Sequence, residues 1–223
     1  MLKKLTEEQK SVILETGIAE FAEKGLNQAN INVIAKKAGI SVGVLYKYYK
    51  DKDAFFLACL RRSLDFLEAI IADFMNGEEK MLARVAKMIR ALQYYSRLHP
   101  NYVNMYNEIT SGSSKKYAPM LARQIEGVSA KVYTEFITKA KENGDIRSDI
   151  NPMMFAFFFD NLLMMMHFSY CSEYYRERFK IFCGEDVFDN DALIESELLK
   201  FIESAFTFDQ SAIVHKGQMD IKS

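Results

Sequence analysis

Lysine and tyrosine side chains are concentrated in one stretch of the chain, residues 24–50, which contains no acidic residue. Its five lysines are Lys24, Lys36, Lys37, Lys47 and Lys50. Lysines neutralise phosphates and release counterions, which is the main source of sequence-independent affinity for DNA. Tyr46, Tyr48 and Tyr49 add hydroxyl groups that can donate to phosphate oxygens. The chemistry that this combination favours is contact with the DNA backbone.

Two short helices joined by a tight turn are predicted to present these side chains. Apolar residues recur at helical spacing over residues 31–38, and Asn30 is a natural N-cap for that helix. Gly39 supplies the positive φ that a sharp exit needs, and Ser41 can cap a second helix over residues 42–48. Such a pair is the helix-turn-helix unit, whose second helix lies in a DNA major groove. The alternative is a three-helix packing module whose lysines are only solvated.

The stretch IAKKAGISVGVLYKYYKDKDAF, residues 34–55, resembles the DNA-binding signature of the TetR family of bacterial transcriptional regulators. That signature is approximately I-A-x-x-A-G-V-S-x-G-x-L-Y-x-[HY]-F-x-x-K-[ED]-x-L. The positions in register are Ile34, Ala35, Ala38, Gly39, Ser41, Gly43, Leu45, Tyr46, Tyr48, Lys52 and Asp53. The departures are Ile40 for Val, Tyr49 for Phe, and Val44 where Thr, Ser or Ala is common. At motif level the resemblance covers residues 7–60.

DNA-contact residues are predicted on both short helices and on the first turn of the next one. The leading half and exposed face of the second helix carry Ser41, Val42, Gly43, Val44 and Lys47. Its two valines suit a thymine methyl group. We expect Tyr46, Tyr48 and Lys52 to hold the DNA backbone, Lys52 by the family's matching position. We expect Asn32 and Lys36 to reach phosphates or a base edge.

Composition favours an all-α chain of about nine helices. Apolar residues make up 49% of the 223 residues, with only 10 Gly and 3 Pro to interrupt long helices. Residues 1–62 hold 11 Lys/Arg against 7 Asp/Glu, whereas the remainder holds 18 against 23. This asymmetry fits a DNA-binding domain joined to a body with another role. The predicted parts are a three-helix domain over 1–50, a connecting helix over 52–76, a helical regulatory and dimerisation domain over 52–210, and a loose tail over 211–223.

No catalytic or metal-binding pattern is present in the sequence. The cysteines (Cys59, Cys171, Cys183) and histidines (His99, His167, His215) share no metal-ligand spacing, and there is no Gly-rich phosphate loop or nucleophile motif. We therefore expect no enzyme activity, no metal and no cofactor. The N-terminus turns polar at once, which predicts no signal peptide and a cytoplasmic protein with free thiols; a redox sensor is the alternative.

Residues 153–168 are predicted to lie in a helix that is apolar nearly all round, with Asn151 as its cap and Pro152 at its first position. A membrane span is one alternative, but the run is shorter than the roughly 20 apolar residues a bilayer needs. A helix apolar on every face must be covered on every side. The resemblance implies a homodimer through the last two long helices. The predicted interface residues are Phe158, Leu162, Met166, Tyr170, Leu198 and Ile202. The connection over residues 174–191 is expected to be irregular or partly helical.

Aromatic and methionine side chains are abundant in the body, as in many small-molecule pockets. The predicted ligand contacts are Tyr95, Tyr102, Met105, Tyr106, Phe136, Phe157, Asn161 and Met165. The alternative is that these residues are ordinary core. The resemblance implies a ligand-responsive regulator, and a repressor rather than an activator. It would bind double-stranded DNA at a near-palindromic operator and be released by a small hydrophobic or aromatic effector. A DNA-binding dimer without an effector is the alternative function.

Overall fold

The computed structural model describes residues 4–76, 79–109 and 117–207. These ranges contain α-helices and one 3₁₀ turn, which confirms the all-α prediction. The helices are α1 Glu7–Gln28, α2 Ile31–Lys37, α3 Val42–Tyr48, α4 Lys52–Asn76, α5 Met81–Leu98, α6 Pro100–Glu108, α7 Ala118–Glu142, α8 Pro152–Cys171, α9 Glu173–Cys183 and α10 Asp191–Thr207. The predicted tail 211–223 and His215 lie outside the described residues. We call α1–α3 the head and α4–α10 the body.

The first helix begins with a capping box. The Thr6 hydroxyl accepts from the Gln9 amide at 3.2 Å, and Gln9 Oε1 accepts from the Thr6 amide at 3.0 Å. The regular helix is interrupted at Gly25, whose φ of 70° is left-handed, before a last turn to Gln28. Gly25 is therefore a kink that turns the chain towards α2, and α1 does not end there.

The two short helices have the predicted caps and turn. Asn30 accepts from the Asn32 amide at 2.9 Å, and Ser41 accepts from the Val44 amide at 3.2 Å. Gly39 has φ 68°, with no atom within 4 Å of the position a Cβ would take, so its conformation and not crowding requires glycine. The turn thus fixes α3 relative to α2 by local backbone chemistry.

Aromatic rings from α1 and α4 form the core of the head. Phe21 lies edge-on to Phe56 at 5.2 Å and tilted to Phe55 at 5.7 Å, and all three are fully buried. Gly17 allows α4 to approach α1 closely, because a Cβ there would lie 2.5 Å from Phe55 Cζ. The packing makes α4 part of both the head and the body.

The hydrophobic core of the head continues into the body through α6. Buried Tyr102, Met105 and Tyr106 of α6 belong to the same apolar cluster as Phe21. A division into domains near residue 50 stays a prediction, since the core has no break there. A movement of α6 would therefore change its packing against α1, because both helices contribute to the same core.

Polar contacts hold the final helix against the body. Arg97 pairs with Asp191 at the start of α10 at 2.7 Å, and the Tyr170 hydroxyl donates to the same carboxylate at 2.7 Å. Between α8 and α10 the chain forms α9 and a 3₁₀ turn, Glu185–Asp189, so the partly helical alternative is the correct one. None of the helices in the described ranges is both long and apolar enough to cross a membrane.

Candidate nucleic-acid interface and effector cavity

Helix α3 exposes one face and buries the other. Leu45 is completely buried and anchors the helix in the head core. Ser41, Gly43, Tyr46 and Lys47 are exposed. The predicted base-reading residues Val42 and Val44 are only half-exposed, and Val42 packs partly against the head core. The exposed face is therefore polar and cationic at its centre, with apolar side chains at its edge.

The lysines of the acid-free stretch fall into two groups. Lys24 pairs with Glu23, and Lys37 lies 3.6 Å from Glu20, so these two are partly neutralised within the head. Lys36, Lys47 and Lys50 are exposed and form no ion pair with any described residue. These three lysines are available to neutralise phosphates. Asn32 is also exposed, one turn before Lys36 on α2.

A buried carboxylate fixes the start of α2, and sequence reasoning missed it. Glu20 is 6% exposed, and its Oε1 accepts from the Asn30 amide at 3.2 Å. This bond satisfies the N-cap amide while Lys37 balances the charge from the end of the same helix. Glu20 lies on α1, before the acid-free stretch, so the helix-turn-helix pattern alone contains no signal for it.

Tyr48 and Lys52, predicted to hold the DNA backbone, also bind atoms of the head. The Tyr48 hydroxyl accepts from the Leu5 amide at 2.8 Å, and Lys52 Nζ donates to the Asn27 carbonyl at 3.0 Å. Desolvation lowers the pKa of Lys52. The Tyr48 hydroxyl keeps its own proton to donate, and an ammonium group has two further donors. Both can therefore contact a phosphate while held in place.

A second candidate site is a small cavity inside the body, which we call the effector cavity. Its volume is about 40 Å³, room for about two or three water molecules. Helices α4 to α8 line it with Leu67, Ile70, Ile71, Met88, Leu92, Tyr106, Ile125, Glu126, Ser129, Tyr133, Asp160, Leu163, Met164 and His167. The wall is mostly apolar, with a few polar groups on α6, α7 and α8.

Two carboxylates face the effector cavity. Glu126 Oε1 accepts from the Tyr106 hydroxyl at 2.6 Å. Asp160 forms no hydrogen bond through its side chain with any described residue. Burial, and then the neighbouring charge of Glu126, raises the pKa of Asp160 to about 7. Burial also raises the pKa of Tyr106 and Tyr133 well above the ordinary tyrosine value. The paired and the unpaired carboxylate therefore have different electrostatic environments.

His167 presents an unpaired acceptor to the same cavity. The Ser96 hydroxyl donates to the Leu92 carbonyl at 2.6 Å, so its oxygen is left to accept from His167 Nδ1, 2.9 Å away. This assigns the proton to Nδ1 and a lone pair to Nε2, which is buried without a hydrogen-bond partner among the described residues. Burial lowers the pKa of His167 to about 4, so the ring is neutral at pH 7.

Only Tyr106 of the eight predicted ligand contacts lines the effector cavity. Phe157 is 60% exposed, and the Asn161 amide donates to the Phe157 carbonyl of its own helix. Met165 faces a groove on the other side of α8. These three side chains therefore do not line this cavity, because α8 turns them away from it, and their contact with a ligand stays a prediction.

The other four predicted ligand residues lie outside the effector cavity, and ligand contact by them stays a prediction. Tyr102 and Met105 are buried between head and body. Tyr95 lies beside Phe66, 5.5 Å between ring centroids, and Phe136 packs edge-on to Phe74 at 4.7 Å. None of the four reaches the effector cavity. A usable signal was the seven-residue spacing of Asp160 and His167, which places both on one face of a helix.

Helix α6 connects the effector cavity to the head. Tyr106 meets Glu126 at the cavity, whereas Tyr102, one turn earlier, donates to Glu15 Oε1 of α1 at 2.5 Å. At the end of α6, Glu108 accepts from the Leu26 amide at 3.3 Å. One nine-residue helix therefore holds both the cavity wall and two hydrogen bonds to α1.

The predicted dimer interface is partly on the surface and partly inside. Phe158 is 54% exposed, and Leu162 and Leu198 are half-buried. Tyr170 and Ile202 are buried within their own subunit, and Met166 is only 6% exposed. Tyr170 and Ile202 pack inside the body, whereas Met166 still lines the groove beside α8 and α10, and the interface stays a prediction. Leu193 and Phe201 of α10 are exposed instead, at 49% and 60%.

Comparison with known proteins agrees with the fold and the head. Residues 13–59 match the family model of bacterial regulatory proteins of the tetR family. The chain is 26% identical over 141 residues to the transcriptional repressor KstR2 of Mycobacterium tuberculosis, covering 62% of this chain and 70% of that protein. It is 28% identical over 98 residues to the uncharacterised regulator YuxN of Bacillus subtilis, covering 44% of this chain and only 34% of that one.

A solved structure extends the likeness to the body. The regulator FadR from Bacillus subtilis in complex with stearoyl-CoA superimposes with a TM-score of 0.65 and 14% identity, over 85% of this chain and 97% of that one. At this identity the likeness concerns the fold alone. It shows that the body has a fold found in a ligand-bound regulator.

Proposed function

We propose that this chain, whose residues 13–59 match the tetR family of bacterial regulatory proteins, is a DNA-binding transcriptional regulator of that family. In this proposal it acts as a homodimeric repressor released by a small hydrophobic effector. Two copies of α3 would enter successive major grooves of a near-palindromic operator. The proposed location is the cytoplasm, where chromosomal DNA is accessible. In this proposed role the chain binds DNA and an effector and catalyses no reaction.

The exposed face of α3 carries this proposal. Its cap, its glycine turn and buried Leu45 hold the helix rigidly, while Lys36, Lys47 and Lys50 stay unpaired among the described residues. A rigid helix with free cations can position base contacts through phosphate contacts. We propose that Ser41, Gly43 and Lys47 face base edges and that Tyr46, Tyr48 and Lys52 hold phosphates. Val42 and Val44 would contact thymine methyl groups from the edge of that face.

An uncovered apolar surface supports the homodimer. We define the α8–α10 face as Phe158, Leu162, Met165, Leu193, Leu198 and Phe201. The residues on α8 recur every three or four positions, and Leu193 and Phe201 are eight apart on α10, so each helix presents one stripe. A second copy would bury these side chains and pair α8 and α10 of both subunits. The solvent exposure of Phe158 and Phe201 in one chain is otherwise costly.

The effector cavity and α6 support release by a ligand. The cavity is too small for an effector in this conformation, so binding must enlarge it. Met88 and Met164 in its wall can adapt their shapes. A ligand that displaces Tyr106 would move α6 and, through Tyr102 and Glu15, the first helix of the head. Release follows only from a difference in ligand affinity between the two head positions.

A DNA-binding dimer without an effector is the second candidate. The small volume of the cavity favours it, because a body that only dimerises needs no larger space. Titration of the operator complex with candidate ligands separates the two functions. A chain whose operator affinity is insensitive to every ligand that stabilises it would support this second candidate.

The docking face can be tested with operator DNA selected from a random-sequence library. We expect Lys47→Ala to weaken operator binding about tenfold, and to lower the salt dependence by about one counterion, because one phosphate or base contact is lost. Fluorescence anisotropy over a range of salt concentrations measures both quantities. The combination of unchanged affinity and unchanged salt slope would contradict the docking face.

One control lysine and a second test lysine sharpen this experiment. Lys131→Ala removes an exposed lysine of α7 that pairs with Glu135 at 4.0 Å, far along the chain from the head. We expect no change in operator affinity for this variant. Lys36→Ala should behave like Lys47→Ala, since Lys36 is unpaired on α2. An equal loss for all three variants would indicate only a general charge effect.

The proposed dimer can be tested separately by light scattering during size-exclusion chromatography. We expect Phe158→Glu to convert the dimer to a monomer, because it places a charge in the centre of a buried apolar contact. Tyr94→Glu is the matched control, since Tyr94 is 62% exposed on α5, outside the α8–α10 face. A parent chain that is already monomeric at high concentration would overturn the homodimer.

A further inference from the structure

We propose that the effector is a compact hydrophobic molecule with a protonated amine, whose N–H groups bind Asp160 and His167 Nε2. This inference rests on the proposed effector-released function and names the chemical class of the ligand. It stands on the hydrogen-bonding character of the effector cavity, whose unpaired polar groups are the Asp160 carboxyl and the His167 Nε2 acceptor.

The unpaired histidine nitrogen is the first observation. His167 Nε2 carries a lone pair and has no partner among the described residues, because Nδ1 donates to Ser96. An unpaired buried polar atom costs free energy that a ligand can recover. Because Nε2 is an acceptor, only a ligand with a hydrogen-bond donor can satisfy it.

The carboxylates are the second observation. Asp160 lies two turns before His167 on α8 and faces the same cavity, with no hydrogen-bond partner for its side chain among the described residues. Glu126 adds a second carboxylate, already bound by Tyr106 at 2.6 Å. Two carboxylates in a mostly apolar wall favour a positive charge between them. Both unpaired groups on α8 therefore require the same kind of ligand atom.

The remaining lining residues exclude an anionic head group. No lysine or arginine is among the described residues that line the cavity, and His167 is neutral. The hydroxyl of Ser129 donates to the Glu126 carbonyl at 3.2 Å, and that of Tyr133 points to Met88 Sδ at 3.7 Å. A carboxylate or phosphate in this cavity would meet Glu126 and Asp160, and no lysine or arginine among the described lining residues.

The rest of the wall specifies the hydrophobic part of the ligand. Leu67, Ile70, Ile71 and Leu163 are apolar and rigid, whereas the methionines of α5 and α8 can move aside. A linear or aromatic group attached to an amine would enlarge the cavity between α4 and α8. The amine would stay at the polar end, near Asp160.

Three ligands that differ only in the polar group test the class: phenylpropylamine, phenylpropanol and phenylpropionate. We expect the amine to raise the melting temperature of the full-length protein most, the alcohol less, and the carboxylate not at all. Isothermal titration gives the affinities. A carboxylate that binds as tightly as the amine, or an amine that does not bind, overturns the proposal.

Charge-neutral variants test the site. Asp160→Asn should weaken binding of the amine about ten- to hundredfold, because a charge-assisted hydrogen bond is lost, with little change for the alcohol. Asp186→Asn is the control, since Asp186 is exposed and outside the cavity. Glu126→Gln serves as a second variant if Asp160→Asn does not fold. Equal loss for amine and alcohol in both variants would assign the carboxylates a purely structural role.

Operator binding is measured on the same preparations to separate the two proposals. If the amine binds but leaves operator affinity unchanged, the ligand class holds and effector-controlled release fails. If another ligand class releases the operator and the amine does not bind, the ligand class fails and the proposed function stands. These outcomes are distinguishable because binding and release are measured independently.

Discussion

In the head, the buried carboxylate of Glu20 accepts from the Asn30 amide and lies near Lys37, whereas in the body the carboxylate of Asp160 has no such partner among the described residues. The head is also closely packed around Gly17, while the body encloses a cavity next to Asp160. Satisfied polar groups and tight packing rigidify a structure, and unsatisfied ones beside a cavity leave free energy for a ligand. The head therefore has the rigidity expected of a docking surface, and the body has the unsatisfied polar group and the space expected of a ligand-binding site.

The largest expected effect tests the difference in packing between the head and the body. Gly17→Ala would place a Cβ 2.5 Å from Phe55 Cζ and 2.7 Å from Cys59 Sγ. We expect a loss of about 3 kcal/mol in the free energy of unfolding, because the buried ring cannot move without disturbing the head core. Urea denaturation measures the loss.

A glycine of the body provides the matched control. Gly127 lies within α7, and no neighbouring atom lies within 4 Å of the position that a Cβ would occupy, so Gly127→Ala relieves only a helix-propensity penalty. We expect a gain of about 0.5–1 kcal/mol. Similar effects at both glycines, in either direction, would contradict the proposed difference in packing.

The next effect concerns the unsatisfied carboxylate. Above pH 7 Asp160 is ionised and only partly exposed to water, so Asp160→Asn should raise the free energy of unfolding by about 1–3 kcal/mol. The gain should disappear below about pH 4, where the unfolded-state carboxyl is protonated as well. Thermal melts of parent and variant over this range measure the difference.

The direction in which stability changes with pH follows from the direction of each pKa shift. The pKa of Asp160 is raised from 3.8 to about 7, so the stability it contributes is complete below its unfolded pKa and is lost as pH rises through 7. The pKa of His167 is lowered from 6.5 to about 4, so its contribution is complete above 6.5 and is lost as pH falls through 4. The other titratable groups facing Asp160 are Glu126, Tyr106 and Tyr133. A variant whose advantage grows towards acid pH would contradict this assignment.

The head could be predicted from the sequence because local chemistry determines most of it. The capping side chains of Thr6, Asn30 and Ser41 each bind an amide within three residues, and the φ of Gly39 depends on its own backbone. Short-range interactions of this kind are visible as residue types at fixed spacing. Glu20 is the exception, since its partner Asn30 is ten residues away.

The effector cavity could not be predicted in the same way, because its residues come from five helices whose mutual rotation depends on packing. Aromatic and methionine content identified the region, yet Phe157 and Met165 lie on other faces of α8. The polar residues of an apolar helix were the better signal. Asp160 and His167 are seven positions apart and so share the inner face.

The dimer surface illustrates the same limit. Both helices could be identified, but Tyr170 is held inside by its hydrogen bond to Asp191 and Ile202 is almost completely buried. Nearly continuous apolar sequence cannot distinguish the inner from the outer stripe of α8. Phe158, a predicted interface residue that is 54% exposed, lies one turn before Leu162 on the outer stripe.

A smaller effect tests the connection between the two regions. Tyr102→Phe removes the donor to Glu15 Oε1, and we expect a loss of about 1 kcal/mol in unfolding free energy, since Arg62 still pairs with that carboxylate at 3.3 Å. Effector affinity should stay close to that of the parent, while the effect of the ligand on operator affinity should decrease. Comparing operator binding with and without ligand measures this coupling.

Tyr95→Phe is the control for the connection. Tyr95 is half-buried on α5, and its hydroxyl forms no hydrogen bond with any described residue. It should leave both stability and coupling unchanged. If Tyr102→Phe retains the full ligand effect on operator affinity, the path through α6 and α1 is excluded.

The smallest expected effects concern the first turns of one helix in each region. Asn151 accepts from the amides of Met153 and Met154 at the start of α8, whereas Thr6 accepts from one amide at the start of α1. We expect Asn151→Ala to cost about 1 kcal/mol and Thr6→Ala about 0.5 kcal/mol, because two amides lose their acceptor in the first case and one in the second. Hydrogen exchange of these amides locates the change. A larger cost for Thr6→Ala would show that the head depends more on its first turn than the body does on α8.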